Sequence, residues 1–91
     1  MAFKRMPGVD LPYEKQILIY AMCVNFKIVP KSTQDKIVRL CSRAGRQYAE
    51  ALFDLVTQSE TNVEGIAMKH HMSSSVLYEA RKRFYEMWWK T

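Results

Sequence analysis

The sequence predicts an all-α protein of about five helices, and three observations carry that expectation. Glycine and proline number only 3 each among 91 residues, too few to punctuate a strand-and-turn architecture. Apolar residues recur at helical spacing, as at Ile37, Leu40, Cys41 and Ala44. Capping residues and polar breaks then cut the chain into helix-length pieces. A chain of 91 residues makes a single domain with one modest core, here spanning 1–91. Within it, residues 1–10 read as a flexible arm, 11–45 as a two-helix part and 46–90 as a three-helix part.

The arm carries Lys4, Arg5, Pro7 and Gly8 and shows no periodic face, which fits a frayed terminus or a basic arm that tracks phosphates. Asp10 is a candidate N-cap for a first helix over 11–26, with Pro12 in its first turn. The middle of that helix, ILIYAMCV, is apolar on every side, so it is expected either at the centre of the core or against a second subunit. Ile28, Val29 and Pro30 read as an extended break. Ser32 or Thr33 caps a second helix over 33–44, and Gly45 suits the C′ position that ends it. A third helix over 46–58 buries Tyr48, Ala51, Leu52, Leu55 and Val56. Thr61 and Glu64 have the spacing of a capping box for a short helix reaching His70. Ser73 caps a last helix ending near Trp89. Its core face is Val76, Leu77, Ala80, Phe84, Met87 and Trp88, with Tyr85 pointing elsewhere.

The formal net charge is +5, a balance that suits nucleic acid, an anionic surface or an acidic protein. Its distribution says more. Lys36, Arg39, Arg43 and Arg46 fall at helical spacing on one side of the second helix. Like charges so placed repel, so the row is either a solvated face or a row of phosphate contacts. Cys23 and Cys41 each lie in an apolar stretch and read as buried free thiols, which makes a reducing, cytoplasmic location the default. The longest apolar run, 17–24, is too short to span a bilayer. His70 and His71 lack a third ligand at metal-site spacing and read as a turn pair, and no cofactor is implied. No nucleophile with a base and no phosphate-cradling glycine loop is visible, so an enzyme is not expected.

The segment VEGIAMKHHMSSSVLYEARKRF, residues 63–84, carries the functional expectation. Two short helices that nearly touch need a small residue at the crossing, here Ala67. Met72 sits under the turn, Ser73 starts the second helix, and Leu77 and Ala80 pack back on Ile66 and Ala67. These positions resemble a helix-turn-helix. The stretch SSSVLYEARKRF is similar to the recognition helix of insertion-sequence transposases and of phage small terminase subunits, both homeodomain-like. The resemblance covers residues 46–89, and the first 45 residues match nothing comparable. Two departures stand out. Glycine is usual where this chain has His71, which must then accept a left-handed or distorted turn, and Ala80 replaces a tryptophan that often follows Leu-Tyr.

The resemblance implies that the start of the last helix enters a major groove. Ser73, Ser74, Ser75, Tyr78, Glu79 and Lys82 then face bases or flanking phosphates, with Arg81 and Arg83 nearer the backbone. The expected function is a DNA-binding regulator, or a recruiting subunit for a larger protein machine, of phage or mobile-element type. Lys36, Arg39, Arg43 and Arg46 would supply further phosphate contacts. The alternative is a protein-binding helical module such as a phage inhibitor, adaptor or virion component. Its interface would be Ile17, Tyr20, Val24 and Trp89, which are also the expected homodimer contacts.

Overall fold

The structure is a computed structural model that describes residues 6, 8–58 and 62–90. Every regular element among them is helical: α1 (Tyr13–Val24), α2 (Lys31–Gly45), a 3-10 turn (Arg46–Tyr48), α3 (Ala49–Thr57), α4 (Val63–Lys69) and α5 (Ser74–Trp88). The centre is α5, which packs on α2, α3, α4 and α1.

The first two helices begin where proline stereochemistry sets them, not at the expected caps. A residue before proline avoids the helical region, so Leu11 and Val29 stay outside. The Pro12 carbonyl accepts from Lys15 and Gln16, both at 3.1 Å, and Pro30 does the same for Thr33 and Gln34. Ser32 and Thr33 therefore sit inside the first turn of α2 and cap nothing. Asp10 does not cap α1 either; its N–H donates to the Glu86 carboxylate at 2.9 Å.

The expected arm is also corrected where it is described. Met6 and Val9 are buried, and the Met6 N–H donates to Gln16 Oε1 at 3.0 Å. Gln16 is fully buried and returns a hydrogen bond from its amide nitrogen to the Leu11 carbonyl. One side chain thus ties the entering chain to α1 with both ends of its amide satisfied, which is what makes its burial tolerable. Lys4 and Arg5 lie outside the described residues.

The end of α2 differs from expectation for a packing reason. Gly45 was the expected left-handed residue, yet it stays helical at φ −89° and ψ −24°. A Cβ there would lie 3.3 Å from both Cβ and Cδ2 of Leu52, so glycine serves the close approach of α3. The positive φ passes to Arg46, at φ 53° and ψ −121°, a conformation that a non-glycine residue holds only under strain. The expected third helix consequently opens as a 3-10 turn and becomes regular only at Ala49.

The core stripe of α2, Ile37, Leu40, Cys41 and Ala44, is buried as its spacing predicts. On α5 the buried face is displaced from expectation. Tyr85 is buried, near Tyr20 and Cys23 of α1, and Val76 is exposed. Cys23 and Cys41 are buried free thiols. Burial pushes the Cys41 thiol up to about 12, and burial followed by the neighbouring Cys41 pushes Cys23 up further. No helix among the described residues is long and apolar enough to cross a membrane.

α4 is capped by Asn62, whose side-chain oxygen accepts from the Gly65 N–H at 2.7 Å. The capping-box expectation is one residue off, and Thr61 lies outside the described residues. α4 then closes in a Schellman turn: the His71 N–H donates to Met68 at 3.2 Å and the Met72 N–H to Ala67 at 2.9 Å. His71 takes φ 54°, the left-handed alternative of the turn that the resemblance implied. Histidine fits there at a cost that glycine avoids, less the backbone entropy glycine loses on folding. His71→Gly should therefore stabilise the fold by about 0.5–1 kcal/mol, raising the melting temperature by roughly 2–8 °C in a thermal scan. A lower melting temperature would show that the imidazole contributes more than its backbone costs.

Candidate nucleic-acid interface

The first turn of α5 begins at Ser73, whose hydroxyl meets Ser75 Oγ at 2.8 Å instead of capping the helix. Ser75 and Glu79 are exposed one turn apart, and Ser74 and Lys82 are half-buried. Tyr78 is exposed but committed. Its hydroxyl donates to Glu64 Oε1 at 2.9 Å, joining α5 to α4. That hydrogen bond, then burial and the carboxylate charge, raise the Tyr78 phenol above its ordinary value. The Arg81 guanidinium lies over the Tyr78 ring, 5.5 Å from its centroid. Burial lowers the Arg81 pKa, though a guanidinium remains charged at any physiological pH. A cleft of about 190 Å3 separates Tyr78, Glu79, Arg81 and Lys82 from Met6, Gly8 and Val9. The entering chain therefore flanks the outer face of α5.

Two of the expected phosphate contacts are turned inward. Arg83 donates from Nε at 3.1 Å and Nη2 at 2.8 Å to the Ala44 carbonyl near the end of α2. Its guanidinium thus caps an orphan carbonyl where a helix dipole favours a cation. The Lys36 ammonium sits 4.5 Å from the centroid of the Trp88 ring. Burial, then nearby Arg39, lower its pKa from the ordinary lysine value.

Arg39, Arg43 and Arg46 are different. All three are exposed, and none forms an ion pair among the described residues. The one acid on their helix, Asp35, is taken by Lys31 at 2.8 Å. The Arg83 link to Ala44 fixes the end of α2, with Arg43 and Arg46 on either side of that residue, against the flank of α5.

The chain matches no known protein family, no curated protein and no solved structure. What the surface can do is therefore argued from its residues. Ser75, Tyr78 and Glu79 are exposed on α5 with half-buried Lys82, and Ser73 precedes that helix, while exposed Arg39 and Arg43 lie on α2 and Arg46 in the 3-10 turn after it. Glu64 was not expected here; the capping-box pattern assigned it to its own helix, and only the fold brings it to Tyr78. Among the described residues no group of three His, Cys, Asp or Glu side chains could hold a metal ion. His70 instead meets Asp54 at 2.7 Å.

The expected partner residues lie on α1 and just past the end of α5. Ile17, Tyr20 and Val24 are half-buried. The most exposed large apolar side chains near them are Leu18 at 53% and Ile28 at 80%, neither of which the apolar pattern distinguished. Trp89 is 42% exposed, with the Lys15 ammonium 5.3 Å from its ring centroid.

Proposed function

We propose that this protein binds duplex DNA, with the outer face of α5 toward a groove and the α2 arginines on the phosphates. The observation that carries the reading is the row of Arg39, Arg43 and Arg46, exposed along α2 and the turn after it with no ion-pair partner among the described residues. Repelling charges left unneutralised on a folded surface gain most from a polyanion. The turn at His71 supports it further, because it separates α4 from α5 as two helices, which a helix-turn-helix requires. The resemblance of residues 46–89 points the same way, toward a regulator or recruiting subunit of phage or mobile-element type. Ser75 can meet any base edge, and Glu79 can accept only from a donor such as the cytosine amino group. Tyr78 is held by Glu64. Sequence discrimination from this face is accordingly modest, and phosphate contacts dominate affinity.

The test is fluorescence anisotropy on a labelled duplex over a salt series. Three arginines on phosphates give a log–log salt slope near −2.7, or about a 40-fold loss of affinity between roughly 50 and 200 mM salt. Arg39→Ala with Arg43→Ala should flatten the slope by about 1.8. Absence of binding at about 50 mM salt, or a slope indifferent to the double substitution, overturns the proposal.

A further inference from the structure

We propose that Glu64 sets a base preference on the outer face of α5. Through its hold on Tyr78, it makes that surface select adenine and cytosine over guanine and thymine on the contacted strand. The inference rests on the DNA-binding reading and deepens it, from a charge-driven contact to a class of base edge. Ser75, Tyr78 and Glu79 fall at i, i+3 and i+4 on α5, and all three are exposed. A carboxylate only accepts hydrogen bonds, so in the 2.9 Å contact with Glu64 Oε1 the Tyr78 hydroxyl is the donor. The phenol keeps that proton, because the contact raises it above its ordinary value. A phenol has a single proton to give. With it committed to α4, only the lone pairs of the oxygen remain for a ligand. The Arg81 guanidinium, 5.5 Å from the ring centroid, braces the ring as well.

Tyr78 and Glu79 thus offer a groove two neighbouring acceptors. In the major groove adenine presents its N6 amino group and cytosine its N4 amino group, whereas guanine O6 and N7 and thymine O4 only accept. An acceptor set against guanine or thymine leaves two lone pairs opposed and desolvated, which costs more than a missing contact. One acceptor does not tell adenine from cytosine, so the preference is for amino over keto bases and not for a single sequence. Ser75 is neutral in this choice, since either hydroxyl of its contact with Ser73 can be the donor. Glu64 touches no base in this scheme. It is a positioning residue that acts through Tyr78.

The test is selection of bound duplexes from a randomised pool at about 50 mM salt, sequenced to give the base preference at each position. The parent protein should favour adenine and cytosine by roughly two- to tenfold at each of two neighbouring positions, the worth of one hydrogen bond. Glu64→Ala frees the phenol to donate, so it should erase the preference at one position and leave the other. Tyr78→Phe keeps the ring under Arg81 and removes the hydroxyl alone, and it should erase the same position. Adding Glu64→Ala to Tyr78→Phe should then change no ratio further. Glu79→Ala should erase the other position. Lys82 is a donor one turn beyond Tyr78, half-buried in the cleft it lines with Met6 and Val9, and Lys82→Ala should leave both preferences in place. Ratios between bases, unlike total affinity, do not move when a variant is merely less stable or has lost a negative charge. Circular dichroism checks that every variant is folded. Binding without an amino preference, or a preference that survives Glu64→Ala at both positions, overturns the inference and leaves DNA binding standing. Absence of binding to the whole pool overturns the DNA reading and this inference with it.

Discussion

Replacing Phe84 by alanine is expected to cost about 3–5 kcal/mol, a large fraction of the roughly 5–15 kcal/mol available to a domain of this size. Phe84 is completely buried, on the helix that packs on α2, α3, α4 and α1. Its ring centroid lies 5.8 Å from that of Tyr85 and 5.9 Å from that of Trp88, so truncation strips contacts from two further aromatic rings as well as leaving a void. One residue before it on α5, Arg83 is tied to the end of α2, which limits how far the void can collapse. Urea denaturation followed by circular dichroism should show a much lower midpoint with a similar slope. Phe84→Leu keeps most of the volume and should lose less than about 1.5 kcal/mol. An alanine variant within about 1 kcal/mol of the parent would mean that α5 is not held through this contact. Because α5 carries the proposed groove-facing surface, DNA binding by the variant is interpretable only where the protein is still folded.

How much of this was legible in advance depends on whether the governing interaction is local. The buried stripe of α2 was, because an amphipathic helix writes its core face into its spacing; the strained turn at His71 was implied only by the resemblance, in which glycine is usual at that place. Helix starts were misplaced where two local rules compete. Asp10 caps well, but Leu11 precedes a proline, and the steric rule prevailed over the hydrogen-bonding preference. Gly45 shows the same competition between turn chemistry and packing, decided by Leu52 on the next helix. The remaining differences are tertiary. Gln16 reads as a polar interruption of an apolar helix until Met6 and Leu11 are brought to it. Tyr85 becomes core only when Tyr20 and Cys23 of α1 are brought near it. For the candidate interface, the sequence could group basic residues but could not separate those facing solvent from those satisfied inside.

Arg83 gives the sharpest case of that separation. Arg83→Ala should lower stability by about 1.5–3 kcal/mol, the range for a hydrogen bond made by a charged group, with the lower half expected because the side chain is only half-buried. Two donors converge on one carbonyl at 2.8 and 3.1 Å, and that carbonyl is among the last four of α2, which no later turn can satisfy. Lysine keeps the charge but cannot match the planar fork, so Arg83→Lys should recover only part of the loss. The same substitution should leave the salt slope of DNA binding unchanged, because a guanidinium spent on Ala44 is not also on a phosphate. Arg39→Ala with Arg43→Ala should do the reverse, flattening the slope while holding stability within about 0.5 kcal/mol. Denaturant midpoints and salt slopes on the same variants therefore sort the basic residues into two groups that charge alone does not distinguish. An Arg83→Ala protein of unchanged midpoint, with a slope flattened by about 0.9, would move this arginine from the α2 terminus to the DNA backbone.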